Sequence, residues 1–266
     1  MSDVSSSSAF ILRDLSYRYT ETSAKALEGI TLAVHAHEFT AVIGPNGAGK
    51  STLVRVMGGI LAPTHGSIEC LERPLHEWDR RALARRLAVV AQEPAPTGSS
   101  LTVRDYVQLG RNPHVRVWAP LSARDGKIVD EALEQTHLKG LQDRALTELS
   151  GGEQQRTKLA RAFAQEPDVI LLDEPTVHLD LHHALWTFSF LKDLVQRSGV
   201  TIICVTHDMN LASRHADKMA LVSGGSISSW GEPGEVLSSS ALSEAYECNL
   251  QVEVTPGLGY YVVPID

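Results

Sequence analysis

The sequence lacks several features that define common classes of protein. Its three cysteines, Cys70, Cys204 and Cys248, lie far apart with no Cys-x-x-Cys pair. This spacing argues against a metal cluster or a disulfide framework and fits reduced thiols in a cytoplasm. No stretch approaches the roughly 18 consecutive apolar residues of a transmembrane helix, so the chain is not expected to cross a membrane itself.

The charge balance and the first residues exclude further classes. The 24 lysines and arginines are outnumbered by 32 aspartates and glutamates, and the net charge of −8 argues against nucleic acid as a partner. Residues 1–8 are polar and contain Asp3, so they are expected to form a short disordered tail rather than a secretory signal. Hydrophobic residues make up 43% of the 266 residues, which suffices for one large α/β domain or two modest ones.

One stretch carries a specific chemical pattern. Residues 44–52 fit the template Gly-x-x-x-x-Gly-Lys-Ser/Thr, between a β-branched strand pattern and a helical pattern. The glycines allow backbone N–H groups to approach phosphate oxygens, Lys50 can reach the β- and γ-phosphates, and the Ser51 hydroxyl can ligate Mg²⁺. The sequence therefore predicts a nucleoside triphosphate site. The residues assigned to it are Gly44, Pro45, Asn46, Gly47, Ala48, Gly49, Lys50, Ser51 and Thr52.

Polar side chains follow three predicted strands at their carboxyl ends. Gln92 follows one of these strands, Asp173 and Glu174 follow the next, and His207 follows the third. Ligand groups lie at such ends in open α/β sheets. Since side chains alternate along a strand, Asp173 is expected to hold Mg²⁺ and Glu174 to polarise an attacking water. A single histidine is more often structural than catalytic, so the residues alone leave the role of His207 open.

A helical region is predicted between residues 100 and 165, with Thr102 and Ser122 as N-caps. Within it, Ser150 and Glu153 have capping-box spacing. The two glycines between them each cost roughly 1 kcal/mol relative to alanine in a helix. Because glycine has no side chain, this helix start leaves its backbone N–H groups open to the close approach of an anion. The cap and the anion site are compatible interpretations.

Two smaller groups of aromatic and histidine side chains remain ambiguous. Tyr17 and Tyr19 are two residues apart, and on a strand both would face the same side, where either one could stack on an adenine ring. His178, His182 and His183 suggest a metal site, but no cysteine or carboxylate ligand stands at a suitable spacing, and the metal interpretation is disfavoured.

These segments occur in an order that resembles the ATP-binding-cassette (ABC) ATPase family over nearly the full chain. The resemblance assigns residues 44–52 to Walker A, Gln92 to the Q-loop, residues 149–156 to the family signature, residues 169–174 to Walker B, residues 176–180 to the D-loop and His207 to the switch histidine. The signature distinguishes this family from other phosphate-loop proteins.

The resemblance implies an α/β fold with a P-loop NTPase core, an N-terminal antiparallel β subdomain and an inserted helical subdomain. Its expected parts are a tail (1–8), the first part of the nucleotide-binding core (9–99), the helical subdomain with the signature (100–165), the second part of the core (166–240) and a C-terminal extension (241–266).

The resemblance also implies a homodimer that sandwiches two ATP molecules with Mg²⁺. Glu174, His207 and Gln92 would be catalytic, and Tyr19 becomes the expected adenine-stacking residue. The implied Mg²⁺ ligands are Ser51, Gln92 and Asp173, and the opposite subunit would contribute Ser150, Gly151, Gly152, Glu153 and Asp180 to each nucleotide site.

Residues 110–114 (Gly-Arg-Asn-Pro-His), 206–212 and 231–237 are similar to importer ATPases for iron-siderophores, haem and vitamin B12. This branch implies two transmembrane permease subunits, a periplasmic binding protein and a location at the cytoplasmic face of the bacterial inner membrane. The sequence departs from the common family pattern at two places, Val177-His178 in the D-loop and Ala91 before Gln92.

Three alternatives stay open at this point. One is a soluble ABC ATPase in translation or DNA repair, although such proteins usually carry two cassettes or a long coiled coil. Another is the ATPase of an ABC importer or exporter for a different substrate. The third is a phosphate-loop kinase of a small metabolite, which leaves residues 149–156 unexplained.

Overall fold

The structure, a computed structural model, describes residues 7–22, 24–92, 100–116, 119–238, 240–255 and 259–265. The strands are β1 (Ser8–Tyr17), β2 (Leu27–His35), β3 (Phe39–Ile43), β4 (His65–Cys70), β5 (Arg73–Pro74), β6 (Leu87–Val90), β7 (Val169–Asp173), β8 (Thr201–Val205), β9 (Lys218–Ser223), β10 (Ser226–Gly231), β11 (Leu250–Thr255) and β12 (Gly259–Pro264). The helices are α1 (Lys50–Met57), α2 (Arg80–Arg86), α3 (Val103–Gln108), α4 (Ala123–Gln135), α5 (Gly151–Ala164), α6 (Leu181–Ser198), α7 (Met209–His215), α8 (Pro233–Leu237) and α9 (Ser240–Tyr246).

A six-stranded sheet forms the centre of the molecule in the order β10-β9-β3-β8-β7-β6. Strands β9, β3, β8, β7 and β6 run parallel, and β10 pairs antiparallel with β9. Every residue of β3, β7 and β8 is buried. Burial on both faces explains why these strands are continuous apolar runs rather than alternating patterns.

A second sheet of order β2-β1-β4-β5 is antiparallel throughout. It covers one face of the central sheet, where Phe10 and Leu12 of β1 share one hydrophobic core with Leu53 of α1. The other face of the central sheet packs on α6 and α7 around Phe39 and Phe188, whose rings stack with centroids 6.0 Å apart. The predicted α/β fold with an N-terminal antiparallel sheet is confirmed.

The region between residues 100 and 165 is built from α3, α4 and α5 around a separate apolar cluster that includes Val107, Leu133 and Ala160. All three predicted N-caps, Thr102, Ser122 and Ser150, form complete capping boxes. In the described part of this region the only β pairing is an isolated bridge between Thr102 and Ala145.

The C-terminal segment packs on the same core as α6 and α7, through Leu242 of α9 and Val262 of β12. The side chain of Asn210 accepts a hydrogen bond from the Val262 N–H at 2.8 Å, and the Ser213 hydroxyl donates to the Tyr260 carbonyl at 3.0 Å. The sequence predicts a final β pair around Gly257; β11 and β12 pair antiparallel, and residues 256–258 between them lie outside the described residues.

Several element boundaries differ from the sequence-based expectation. Strand β1 begins at Ser8, the last residue of the predicted tail, while residues 1–6 lie outside the described part. The same strand ends at Tyr17, so Tyr19 lies beyond it. The helix capped by Ser122, α4, is predicted from the sequence to continue to Leu138 but ends at Gln135. No helix in the described ranges is both long and apolar enough to cross a bilayer.

Candidate active site

Four neighbouring strands of the central sheet carry the predicted site residues. The phosphate loop follows β3, His207 lies just after β8, Glu174 directly follows β7, and Gln92 lies just after β6. These strands are adjacent in the order β3-β8-β7-β6 and parallel, so their carboxyl ends meet at one edge. Residues up to 163 positions apart in the sequence therefore come together because of the strand order.

The phosphate loop packs closely on the backbone of other segments. Gly44 (φ 148°) and Gly49 (φ 103°) lie in the region that favours glycine. A Cβ atom at Gly44 would lie 2.1 Å from the Val222 carbonyl oxygen, and one at Gly49 would lie 2.4 Å from the Ala26 carbonyl oxygen. These two glycines are thus required by the fold, independently of any ligand.

Lys50 begins helix α1 and is buried, with only 4% of its surface exposed. Its Nζ donates to the carbonyl oxygens of Gly44 and Pro45, both at 2.8 Å. Burial lowers the pKa of Lys50, and the charges of Glu174 and Asp173 oppose that shift. Helix α1 has neither a side-chain cap nor an acidic residue in its first turn. The buried ammonium and the uncapped N–H groups fit a phosphate anion.

Ser51 and Asp173 form the second part of the site. The Ser51 hydroxyl donates to Asp173 Oδ1 at 2.9 Å, and Asp173 is 5% exposed. Burial raises the pKa of Asp173, opposed by this hydrogen bond. A buried carboxylate beside a hydroxyl oxygen is a donor set that Mg²⁺ prefers, so the two residues fit the expected ion. Gln92, the third expected ligand, instead contacts Glu174.

Glu174 lies between two polar partners. Its carboxylate accepts hydrogen bonds from the Gln92 amide at 3.1 Å and from His207 Nε2 at 2.5 Å. Its backbone N–H donates to the Val205 carbonyl at 3.0 Å, and its φ of 52° is left-handed. Such a conformation costs a non-glycine residue about 1–2 kcal/mol. The strained backbone places the carboxylate where Gln92 and His207 both reach it.

A cavity of about 640 Å³ connects these groups. Lys50, Ser51, Glu174 and His207 line it, and Tyr19 lies at its margin, 54% exposed. Its remaining lining residues are Ala26, Asn46, Gly47, Gly49, Thr52, Gln92, Val177 and His178.

Tyr19, rather than Tyr17, borders the cavity. The Tyr19 hydroxyl lies 3.0 Å from Thr52 Oγ1, whereas Tyr17 packs against the core and meets the Tyr19 ring edge-on at 5.1 Å. Stacking of Tyr19 on adenine stays a prediction. His178 also lines the cavity, a position that neither its assignment to the D-loop nor the disfavoured metal interpretation indicated. Its left-handed φ of 63° is not visible in the sequence.

The predicted signature turn forms a helix cap at the start of α5. The Ser150 side chain accepts from the Glu153 N–H at 3.3 Å, and the Ser150 N–H donates to Glu153 Oε2 at 2.8 Å, which lowers the pKa of Glu153. Ser150 and Gly151 are exposed, while Gly152 is buried. None of residues 150–153 is among the described residues that line the Lys50 cavity. The turn and the phosphate loop of one chain do not share this cavity.

Asp180, also predicted to act across a dimer, caps helix α6. Its carboxylate accepts from the His183 N–H at 2.8 Å and lies 2.7 Å from His183 Nδ1, and these two contacts lower the Asp180 pKa. The ring of His182 meets that of His183 edge-on. Among the described residues, no group of three or more histidine, cysteine, aspartate or glutamate side chains could hold a metal ion.

Residues 110–114 have a structural role that the sequence did not predict. Arg111 is 2% exposed and donates to Asp125 at 2.9 Å, to the Ala164 carbonyl at 2.7 Å and to Glu166 at 2.9 Å. Hydrogen bonds from Ser122 and Arg111 lower the pKa of Asp125 to about 2. Arg111 thus ties together the start of α4 and the end of α5.

The parallel sheet with its phosphate loop and strand-end carboxylates defines a phosphate-loop nucleotide-binding fold. A profile of the ABC transporter family matches residues 27–177, more than half of the chain. The chain belongs to the ABC transporter family.

Two curated relatives are importer components. The chain is 35% identical over 254 residues to the hemin import ATP-binding protein HmuV of Rhodopseudomonas palustris, covering 92% of this chain and 91% of that protein. It is also 35% identical over 239 residues to the cobalamin import ATP-binding protein BtuD of Halobacterium salinarum, covering 90% of this chain. The chain spans 59% of the length of the halobacterial protein.

Solved structures of this family are similar over most of the chain. One is cbiO1 from Clostridium perfringens, part of the ABC transporter complex cbiONQ, with a TM-score of 0.77 and 30% identity, covering 90% of this chain and 94% of that one. Another is an ATP-binding cassette in a dimeric post-hydrolysis state bound to ADP and Pi, with a TM-score of 0.72 and 28% identity, covering 84% of this chain and 98% of that one.

Proposed function

We propose that this chain is the ATP-hydrolysing subunit of a bacterial ABC importer. It converts ATP and water to ADP and phosphate and thereby powers uptake of an iron-siderophore, haem or cobalamin-type ligand. It acts at the cytoplasmic face of the inner membrane through two permease subunits, served by a periplasmic binding protein. The observation that carries the proposal is the Glu174 carboxylate, held by Gln92 and His207 in the cavity that also contains Lys50.

Five residues in or beside this cavity have proposed chemical roles. The Lys50 ammonium, now bonded to carbonyl oxygens, turns to phosphate oxygens, which supply a stronger, charged acceptor. Ser51 and Asp173 hold Mg²⁺, which neutralises charge on the phosphates when bound. Glu174 accepts the proton of the attacking water, and the left-handed backbone keeps its carboxylate in place. His207 orients that carboxylate through the hydrogen bond from its Nε2.

A second copy of the chain completes the site. The Lys50 cavity is lined by the phosphate loop and the strand ends, and none of its described lining residues belongs to the signature turn. Ser150 and Gly151 are exposed and able to contact another molecule. A cassette that this chain resembles is dimeric in a post-hydrolysis state bound to ADP and Pi, which supports a dimer as the working unit. In the complete site, Ser150, Gly151, Gly152, Glu153 and Asp180 come from the opposite subunit.

The ligand class is supported by relatives more than by local sequence. The hemin import protein matches across 91% of its own length. In contrast, residues 110–114 have packing roles in this structure: a Cβ at Gly110 would lie 2.3 Å from the Arg161 carbonyl oxygen, and His114 Nε2 lies 2.9 Å from the Gln165 carbonyl oxygen. A glycine, an arginine and a histidine at these positions therefore do not by themselves indicate a transported ligand.

The test is isolation of the complex from membranes of the native host, followed by assays of the purified chain with and without its permease. We expect Mg²⁺-dependent ATP hydrolysis whose specific activity, the rate per mole of protein, rises with protein concentration. This activity should change when the permease is present. Phosphoryl transfer to an acceptor other than water would instead indicate a kinase. If no permease co-purified and none altered the hydrolysis rate, the importer assignment would be wrong.

A further inference from the structure

The first turn of α5 lies against the first turn of α6 through one histidine. Gly152 is buried there, and a Cβ atom at this position would lie 2.1 Å from Cδ2 and 2.5 Å from Nε2 of the His183 ring. Real Cβ atoms essentially never approach that closely, so only glycine is compatible with this ring position. The neighbouring Gly151 is different, because a Cβ atom there would meet nothing within 4 Å.

The His183 ring is held in this position from its other side. Its Nδ1 lies 2.7 Å from Asp180 Oδ1, and the same oxygen accepts the His183 backbone N–H at 2.8 Å. If the ring moved away from position 152, it would lose its hydrogen bond to Asp180. The His183 side chain is 28% exposed, so it lies at a partly solvated surface. Its contacts with Gly152 and Asp180 define the orientation of the ring there.

A second contact repeats the pattern one turn further along both helices. The Arg156 guanidinium of α5 lies over the Trp186 ring of α6, 5.8 Å from its centroid. Residues 152 and 156 are four apart and residues 183 and 186 three apart, so each pair shares one helix face. The two contacts therefore join one face of each helix, and the histidine contact is the one nearer the signature turn.

From this geometry we infer that His183 is a positioning residue, which fixes the signature turn relative to Asp180 within one chain, and that Gly152 is glycine in order to admit its ring. The inference rests on the proposed function, in which the signature turn and Asp180 both act on the opposite subunit. Two surfaces that must engage one partner at the same time need a fixed separation. His183 provides it by contacting one surface and hydrogen-bonding the other.

The first experiment measures thermal stability and needs no activity. Gly152→Ala should lower the melting temperature by about 5 °C, because the added methyl overlaps the ring. The double variant Gly152→Ala/His183→Ala should regain at least half of that loss, since the smaller side chain leaves room. Gly151→Ala is the matched control and should change the melting temperature by less than about 2 °C in either direction, the ordinary range for a helix position with open space.

The second experiment measures ATP turnover and nucleotide binding. His183→Ala should reduce kcat about tenfold, as misplacement of a binding group does. The Kd for ATP of the isolated chain should change less than about twofold, since His183 is not among the described residues lining the Lys50 cavity. His183→Gln, whose amide can still donate to Asp180, should recover most of the kcat. A merely structural histidine would give equal losses in both variants.

The outcomes separate the two proposals. If the double variant melts as low as the sum of its single changes, or Gly152→Ala melts like the wild type, the contact inference is wrong. If His183→Ala keeps wild-type kcat, the positioning role is wrong. If Gly152→Ala does not fold, the His183→Ala and His183→Gln comparison still decides. A wild-type chain without ATPase activity would contradict the proposed function and leave the melting comparison valid.

Discussion

In the proposed dimer, the sheet edge that carries Lys50 and Asp173 in one chain and the signature turn of the other chain bind the same nucleotide, yet the two regions are built in opposite ways. At the edge, Lys50 and Asp173 are buried and hydrogen-bonded within the chain. At the turn, Ser150 and Gly151 are exposed, and the cap of α5 uses the Ser150 hydroxyl. Burial disfavours the charged forms of Lys50 and Asp173 at this edge, since it lowers the pKa of Lys50 and raises the pKa of Asp173.

The difference indicates what each region needs. Buried charges without a full counter-charge are stabilised by a ligand of the opposite sign, so the edge is preorganised for phosphate and a cation. The turn is stable without a ligand because its own capping box satisfies the N–H groups of Ser150 and Glu153. A ligand is therefore expected to stabilise the edge strongly and the turn only after a second subunit arrives.

The largest effect is expected at Glu174. Glu174→Gln removes the proton acceptor and keeps the shape of the side chain, although its amide has only one oxygen in place of the two that accept from Gln92 and His207. Turnover should fall about 10³-fold, while ATP binding persists and a dimer accumulates at high ATP. Steady-state hydrolysis and size-exclusion chromatography with ATP measure the two results.

Glu253→Gln on the exposed strand β11 is the matched control and should keep wild-type turnover. If Glu174→Gln also retained normal turnover, another group would be the general base, and the assignment of a catalytic role to Glu174 would be wrong.

Lys50→Ala should have the next largest effect. It removes the buried ammonium at the start of α1 and leaves the carbonyl oxygens of Gly44 and Pro45 without their donor. Turnover should fall about 100-fold because the phosphate loses a charge-assisted partner. Calorimetric titration with ATP should show the same loss in binding.

Lys127→Ala, an exposed lysine of α4, serves as the control for a lost positive charge. Normal ATP affinity in Lys50→Ala would contradict the assignment of the edge as the phosphate site.

The sequence predicted those parts of the site that depend on local pattern. Gln92, Glu174 and His207 each follow a short apolar run, and parallel strands bring such ends together. It could not predict which polar groups touch, because contacts among these three depend on strand order and on the left-handed backbone of Glu174. The roles of Arg111 and His183 were also missed, since both depend on the packing of helices distant in sequence.

Ser150→Ala separates the two functions of the signature turn. The loss of the cap should cost about 1 kcal/mol of unfolding free energy, or about 2–4 °C in melting temperature. On the proposed function, turnover should fall further than this stability loss explains, because the exposed serine also contacts the nucleotide of the other subunit.

Ser122→Ala is a matched control for this change, since Ser122 forms the same capping box at the start of α4. Both variants should melt alike, but only Ser150→Ala should lose turnover. Equal turnover in the two variants would mean that the signature turn is a helix cap and nothing more.

The smallest effect is expected from Gly126→Ala, inside α4 of the same helical region. A Cβ atom at this position would meet nothing within 4 Å, and its backbone is helical, so alanine fits without strain. Alanine should raise the free energy of unfolding by at most about 1 kcal/mol, because it restricts the unfolded chain and favours the helix. Thermal unfolding measures the gain, and turnover should match the wild type, since Gly126 is not among the described residues that line the Lys50 cavity. A stability loss here would show that α4 tolerates no added atom, and the large cost expected at Gly152 would then reflect tight packing of the whole region instead of the ring of His183.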